Sequence, residues 1–255
     1  MIKFFDSNIL NIISLTIFLI PVSVISGPFI PDFLLSLSCL LFLFYCVKNN
    51  QLDFFKINFF YISSIFYFLI LISAILSEEV YVSLKSVAFY FRFIVFSVCI
   101  YFIFSRNLKI LNYFFKIIFY LFLFIIFDSL FQFIIGYNLA GFDILVQNSQ
   151  IRVTSFFGED LKLGSYLARF FPFFVYSLII INLKKLDFLK IIILNLYLII
   201  IIMTGERTAI LFSFLSLIYL MIFLKNNKLK KCLIITIPLL LFSAILLLGT
   251  NSNLK

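Results

Sequence analysis

The chain has 255 residues, of which 64% are hydrophobic and 12% charged. A soluble domain carries about twice that share of charge, so the composition excludes a water-soluble globular protein and points to a polytopic α-helical membrane protein. The net charge of +9 does not mark a nucleic-acid binder, because the Lys and Arg residues fall mainly in alternate loops between apolar runs.

A bilayer span takes about 20 apolar residues in a helix. In chain order the hydropathy predicts nine spans, at 9–26, 33–47, 59–76, 86–104, 117–135, 165–183, 190–203, 208–224 and 232–249. Positive residues in short loops mark the cytoplasmic side. Lys48 and Lys56, then Arg106, Lys109 and Lys116, then Lys184, Lys185 and Lys190, then Lys225, Lys228, Lys230 and Lys231 occupy every second connection. The intervening loops carry Asp32, Glu78 and Glu79, Asp143, Glu159 and Asp160, and Glu206. This alternation predicts an N-terminus inside and a C-terminus outside, with residues 1–255 forming a single integral membrane domain. The first span reads as an uncleaved anchor, its apolar run being longer than a signal core.

The four cysteines, Cys39, Cys46, Cys99 and Cys232, sit in apolar runs and read as small hydrophobic packing residues. With no His anywhere and no CxxC spacing, neither a zinc site nor a disulfide framework is indicated. Chemistry is expected instead in the long polar interlude 151–170, IRVTSFFGEDLKLGSYLARF, and in the turn TGERTA at 204–209, which the charge pattern assigns to the outer face.

Arg92 and Asp128 fall inside predicted spans, where charge is costly and usually faces a bundle interior or a cavity. Counted from the span ends, they lie about 10 Å and about 12 Å deep at 1.5 Å per residue. An Arg92–Asp128 ion pair is therefore expected, either fixing helix pairing or underlying an anionic ligand site lined by Gln132, one turn from Asp128. Arg152 and Arg207 are the candidate phosphate ligands, because the guanidinium fork matches phosphate oxygens and stays charged. Thr204 is expected to cap the eighth span, with Glu206 either complementing that helix's dipole or acting with Glu159 as a catalytic carboxylate. Arg169 reads as a snorkelling residue, Asp160 and Lys162 as solvated, and Gly158 and Gly164 as turn and helix-entry positions.

Three segments together, FDSLFQFIIGYNLAGF (127–142), RVTSFFGEDLKLGSYL (152–167) and TGERTA, resemble the O-antigen ligase and O-antigen polymerase superfamily, as does Tyr90-Phe91-Arg92-Phe93. The resemblance runs from about residue 60 to residue 224. It implies an architecture like that of the C-type glycosyltransferases in a bacterial inner membrane. The implied activity is transfer of a glycan from an undecaprenyl-diphosphate carrier to lipid A core or to a growing polysaccharide on the periplasmic side, without cofactor or metal. Arg152 and Arg207 match the family's diphosphate-holding arginines; Arg92 and Gln132, from the reading of the intramembrane polar residues above, are expected to contribute to the same substrate site. Family ligases carry a large periplasmic loop with a His after these spans. This chain lacks that His and ends where the loop would begin, so it is expected to be the N-terminal part of a longer protein, with Glu159 as the alternative base. A glycolipid flippase and a non-catalytic membrane scaffold are the competing readings.

Overall fold

The computed structural model describes residues 2–147, 150–181 and 187–223, with Lys230 and Ile234 as isolated points. Its helices are α1 (Ile2–Ser23), α2 (Phe29–Lys48), α3 (Asn58–Ile75), α4 (Val80–Ala88), α5 (Phe91–Arg106), α6 (Leu108–Ile135), α7 (Leu163–Ile180), α8 (Asp187–Met203) and α9 (Arg207–Phe223). A short antiparallel hairpin, β1 (Leu145–Gln147) and β2 (Gln150–Arg152), interrupts them. Among the described residues, six helical segments are long and apolar enough to cross a membrane, with 80–106 counting as one, and the last two helices are shorter apolar ones. The protein is thus an all-α, multi-pass membrane bundle with one small β element. The ninth predicted span and Cys232 lie outside the described residues.

Backbone contacts divide the chain into two compact units, Met1–Asn112 and Tyr113–Lys255. In the first, α1 and α2 form a hairpin turned at Gly27. Small hydroxyl residues let the two helices approach: Ser38 Oγ donates to Thr16 Oγ1 at 2.8 Å, while Thr16 donates to its own helix at Ile13 O. Apolar association inside a bilayer gains little from solvent exclusion, so close packing and such interhelical bonds carry the pairing. Ile13, Phe42, Cys46, Val98, Cys99 and Phe102 are fully buried between α1, α2 and α5. Cys39, Cys46 and Cys99 are unbridged and buried, as expected of packing residues. At the far end of α5, Arg106 donates to Tyr45 Oη at 3.1 Å and to Gln51 Oε1 at 2.6 Å, and stands 4.3 Å above the Phe102 ring. In the connection between α2 and α3, Lys56 Nζ donates to Asp53 at 2.7 Å and holds that carboxyl below its ordinary range.

The fourth predicted span is two helices rather than one. At Phe89–Tyr90 the hydrogen bonds tighten to three-residue turns, with Tyr90 N donating to Val87 O at 2.9 Å and Phe93 N to Tyr90 O at 3.0 Å. Such tightening marks a break in the α-helical ladder. The fifth predicted span starts too late. The apolar spacing continues through residues 108–116, and α6 runs 28 residues, or about 42 Å at 1.5 Å per residue.

The second unit is built on aromatic packing. Phe122, Phe171, Phe174 and Tyr197 are fully buried, and Phe174 stacks on Tyr197 with ring centroids 4.4 Å apart. Tyr197 Oη donates to Leu167 O at 2.8 Å. That bond satisfies the phenol in the core and ties α8 to α7.

Candidate functional site: a polar plug and an arginine-bearing turn

The site is assembled from the end of α6, the loop 136–162 and the turn between α8 and α9. Asp128 and Gln132, one helical turn apart, point to the same face, and both are completely buried. The Gln132 amide is saturated by the loop. Its Oε1 accepts from Thr154 N at 3.0 Å and Ser155 N at 2.7 Å, and its Nε2 donates to Phe142 O at 3.2 Å and Asp143 O at 3.4 Å. Asp128 accepts Leu139 N at 2.9 Å on one oxygen and the Ser155 hydroxyl on the other.

Asn138 completes this plug. Its Oδ1 accepts from Ala140 N and Phe142 N at 3.0 and 2.8 Å, a local turn of the kind Asn favours, and its Nδ2 donates to Ser155 O at 2.8 Å. Ser155 therefore has its N–H, hydroxyl and carbonyl all engaged. That is why a non-glycine residue is held at φ 51° there, a conformation that persists only when the surroundings over-determine it.

Beyond the plug, Val153 N donates to Met203 O at 3.2 Å and docks the loop on the end of α8. Arg152 is thereby laid along the next turn. Gly205 has φ +68°, and a Cβ at that position would stand 3.2 Å from Arg152 Nε. Arg152 Nε is buried without a hydrogen-bond partner. Arg207, two residues past Gly205, is exposed and opens α9. Neither arginine makes an ion pair among the described residues.

The carboxylate between them is committed elsewhere. Glu206 Oε1 accepts Gly164 N at 2.8 Å, and Oε2 accepts Ser165 N at 2.9 Å and the Ser165 hydroxyl. Glu206 thus caps the first turn of α7 from 41–42 residues away in sequence, filling the anion position that every helix N-terminus offers. Gly164 is required for that approach, since a Cβ there would overlap Thr204 Oγ1 and come within 2.9 Å of Glu206 Oε1.

Several sequence expectations change here. Arg92 pairs with Asp32 at 2.5 Å and donates to Ser36 Oγ at 3.1 Å, rather than pairing with Asp128. The reason is local: Asp32 lies on α2, the packing partner of α5, and Cys39 Sγ also donates to Arg92 O at 3.2 Å. Asp128 is bonded by loop donors and pairs with no cation among the described residues. Gln132 holds the loop and does not line an open site. Glu206 is a helix cap for α7, with both carboxylate oxygens engaged by the first turn of that helix. Thr204 serves both helices: its hydroxyl donates to Ile201 O at 2.7 Å in the last turn of α8 and accepts Glu206 N at 3.4 Å at the entry to α9, in line with the cap expected there. Glu159 is exposed, as is Arg169, and Asp160 pairs with Lys162 at 2.5 Å. Gly158 takes the turn conformation expected of it, at φ +60°.

Sequence reasoning missed Asn138, Thr154 and Ser155. Asn138, three residues before Gly141, carried a turn signal. Nothing in the sequence singles out Ser155. No family model, no curated protein and no solved structure matches this chain.

Proposed function

We propose that this chain is a membrane glycan transferase of the O-antigen ligase or polymerase type, with its site on the outer face of a bacterial inner membrane. The donor is a glycan on an undecaprenyl-diphosphate carrier, and the acceptor is lipid A core or a growing polysaccharide. One observation carries the reading: two arginines, Arg152 and Arg207, flank a turn whose only carboxylate is consumed by the N-terminus of α7. Their positive charge is uncompensated by the described residues, and the buried Nε of Arg152 lacks a partner. A diphosphate would supply both the charge and the acceptor oxygens.

In this reading an acceptor hydroxyl attacks the anomeric carbon, the bond to the diphosphate oxygen breaks, and the electron pair leaves with the lipid diphosphate. Arg152 and Arg207 stabilise that departing charge, the kind of preorganised contribution that dominates many such reactions. Glu159, exposed and unbonded among the described residues, takes the hydroxyl proton.

Arg152→Ala and Arg207→Ala are each expected to lower glycan transfer about 100-fold or more, the usual cost of removing a preorganised charge-stabilising group. Glycolipid banding in membranes carrying each variant at wild-type abundance is the measurement. Unchanged banding in both would reject the assignment, and movement of the glycolipid across vesicles without a new glycosidic bond would replace it with the flippase reading.

A further inference from the structure

The first unit contains a groove of about 390 Å³ between α3 and α5, within the range of ~300–1,000 Å³ typical of small-ligand sites. Phe59, Phe66 and Tyr67 of α3 line it, with Tyr90, Phe93 and Ser97 opposite. Two of its hydroxyls are already spent on backbone: Ser97 Oγ donates to Phe93 O at 2.9 Å, and Tyr67 Oη to Ala88 O at 3.3 Å. These walls ask little of a polar ligand. They suit hydrocarbon. The α3 wall of the groove is itself open, with Ile62 68% and Phe66 64% exposed, so lipid chains reach the groove from the side.

The two ends of the groove differ. At the Tyr67–Tyr90 end, the Tyr67 hydrogen bond ties α3 to the end of α4. At the Phe59 end, the flanking segments carry Lys56, Arg106 and Lys109, with Lys56 paired to Asp53. Arg106 reaches Gln51 and the Phe54 ring there, 5.7 Å from the centroid, and Phe55 packs on Phe60. Basic groups at a span end attract anionic headgroups. We propose that this groove binds one acyl chain of an anionic phospholipid, whose headgroup sits among the basic residues at the Phe59 end. About 16 Å of α3, from Phe59 to Ile70, is available along the chain at 1.5 Å per residue.

The chain has no Trp, so Phe66→Trp gives a single fluorescent reporter inside the groove and Phe68→Trp one on the exposed face outside it. The full chain, reconstituted in phosphatidylcholine vesicles, is titrated with phosphatidylglycerol carrying brominated acyl chains. Quenching of the Phe66→Trp reporter is expected to saturate at low mole fraction, while quenching at Phe68→Trp follows the bulk fraction. Ser97→Phe, which fills the groove, removes the saturable component, and Ser63→Leu serves if that variant does not elute as a monodisperse species. Adding Lys56→Gln or Lys109→Gln moves the saturation point about fivefold higher per cation. Identical quenching at both reporters, no quenching at Phe66→Trp, or equal saturation by brominated phosphatidylcholine would each overturn the proposal.

Discussion

Gln132→Leu is expected to destabilise the second unit by about 3–5 kcal/mol, because each buried backbone group left without its partner costs about 1–3 kcal/mol. Two buried N–H groups depend on this one amide, those of Thr154 and Ser155, and it also donates to the part-buried carbonyls of Phe142, which accepts Asn138 N as well, and Asp143. Leucine fills the volume but answers none of them. Gln132→Glu keeps the acceptor for the two N–H groups and loses the donor, so it should fall between wild type and leucine. The measurement is the fraction of monodisperse protein surviving a temperature ramp in detergent. A leucine variant as stable as wild type would show that the loop 136–155 is held by something other than this amide. Because the same amide fixes the chain next to Arg152, the glycan transfer proposed for this chain should fall in step with the loss of order.

The second large effect is expected at Gly164. Gly164→Ala forces a methyl group into Thr204 Oγ1 and the Glu206 carboxylate. The helix cap is displaced, at a cost of about 2–3 kcal/mol when overpacking and the lost charged cap are combined. Removing the obstruction should restore part of this. Thr204→Ala in the Gly164→Ala background is expected to be less harmful than the sum of the two single changes, a coupling of the size that contacting residues show. Strict additivity in that double-mutant cycle would mean that α7 and the α8–α9 turn do not meet as described. Glu206→Gln tests the cap alone: it keeps the shape, loses the charge, and should cost less than Glu206→Ala.

Much of the fold was legible from hydropathy alone, because a span must be apolar for about 20 residues and little else satisfies a bilayer. Eight of the nine predicted runs correspond to helical segments, displaced by a few residues at most ends. The largest shifts are at the starts of α6, where Lys109 and Lys116 looked like a loop but interrupt no helix, of α1, and of α4, where amphipathic residues precede the break at Phe89. Of the site, the same-face relation of Asp128 and Gln132 was readable from their spacing of four.

Partner choice was not readable. Depth arguments made Arg92 and Asp128 plausible partners, yet depth says nothing about which helices are neighbours, and Arg92 pairs with Asp32 on α2. Glu206 was misread for a similar reason. A carboxylate beside a helix start suggests a role in its own helix, whereas this one serves α7. Only the tertiary approach permitted by Gly164 reveals that.

The buried Asp128 also constrains how this protein is made. The two groups that bond this carboxylate, Leu139 N and Ser155 Oγ, lie 11 and 27 residues further along the chain, in a loop that can reach it only after α6 itself is placed. A carboxylate within an inserting helix opposes integration by about 2.5–3.5 kcal/mol near the helix centre. The Phe and Ile residues packed around it along α6 must therefore secure integration on their own. The carboxylate is satisfied only once the following loop folds back, so the membrane-crossing helix α6 is complete only together with the loop that follows it.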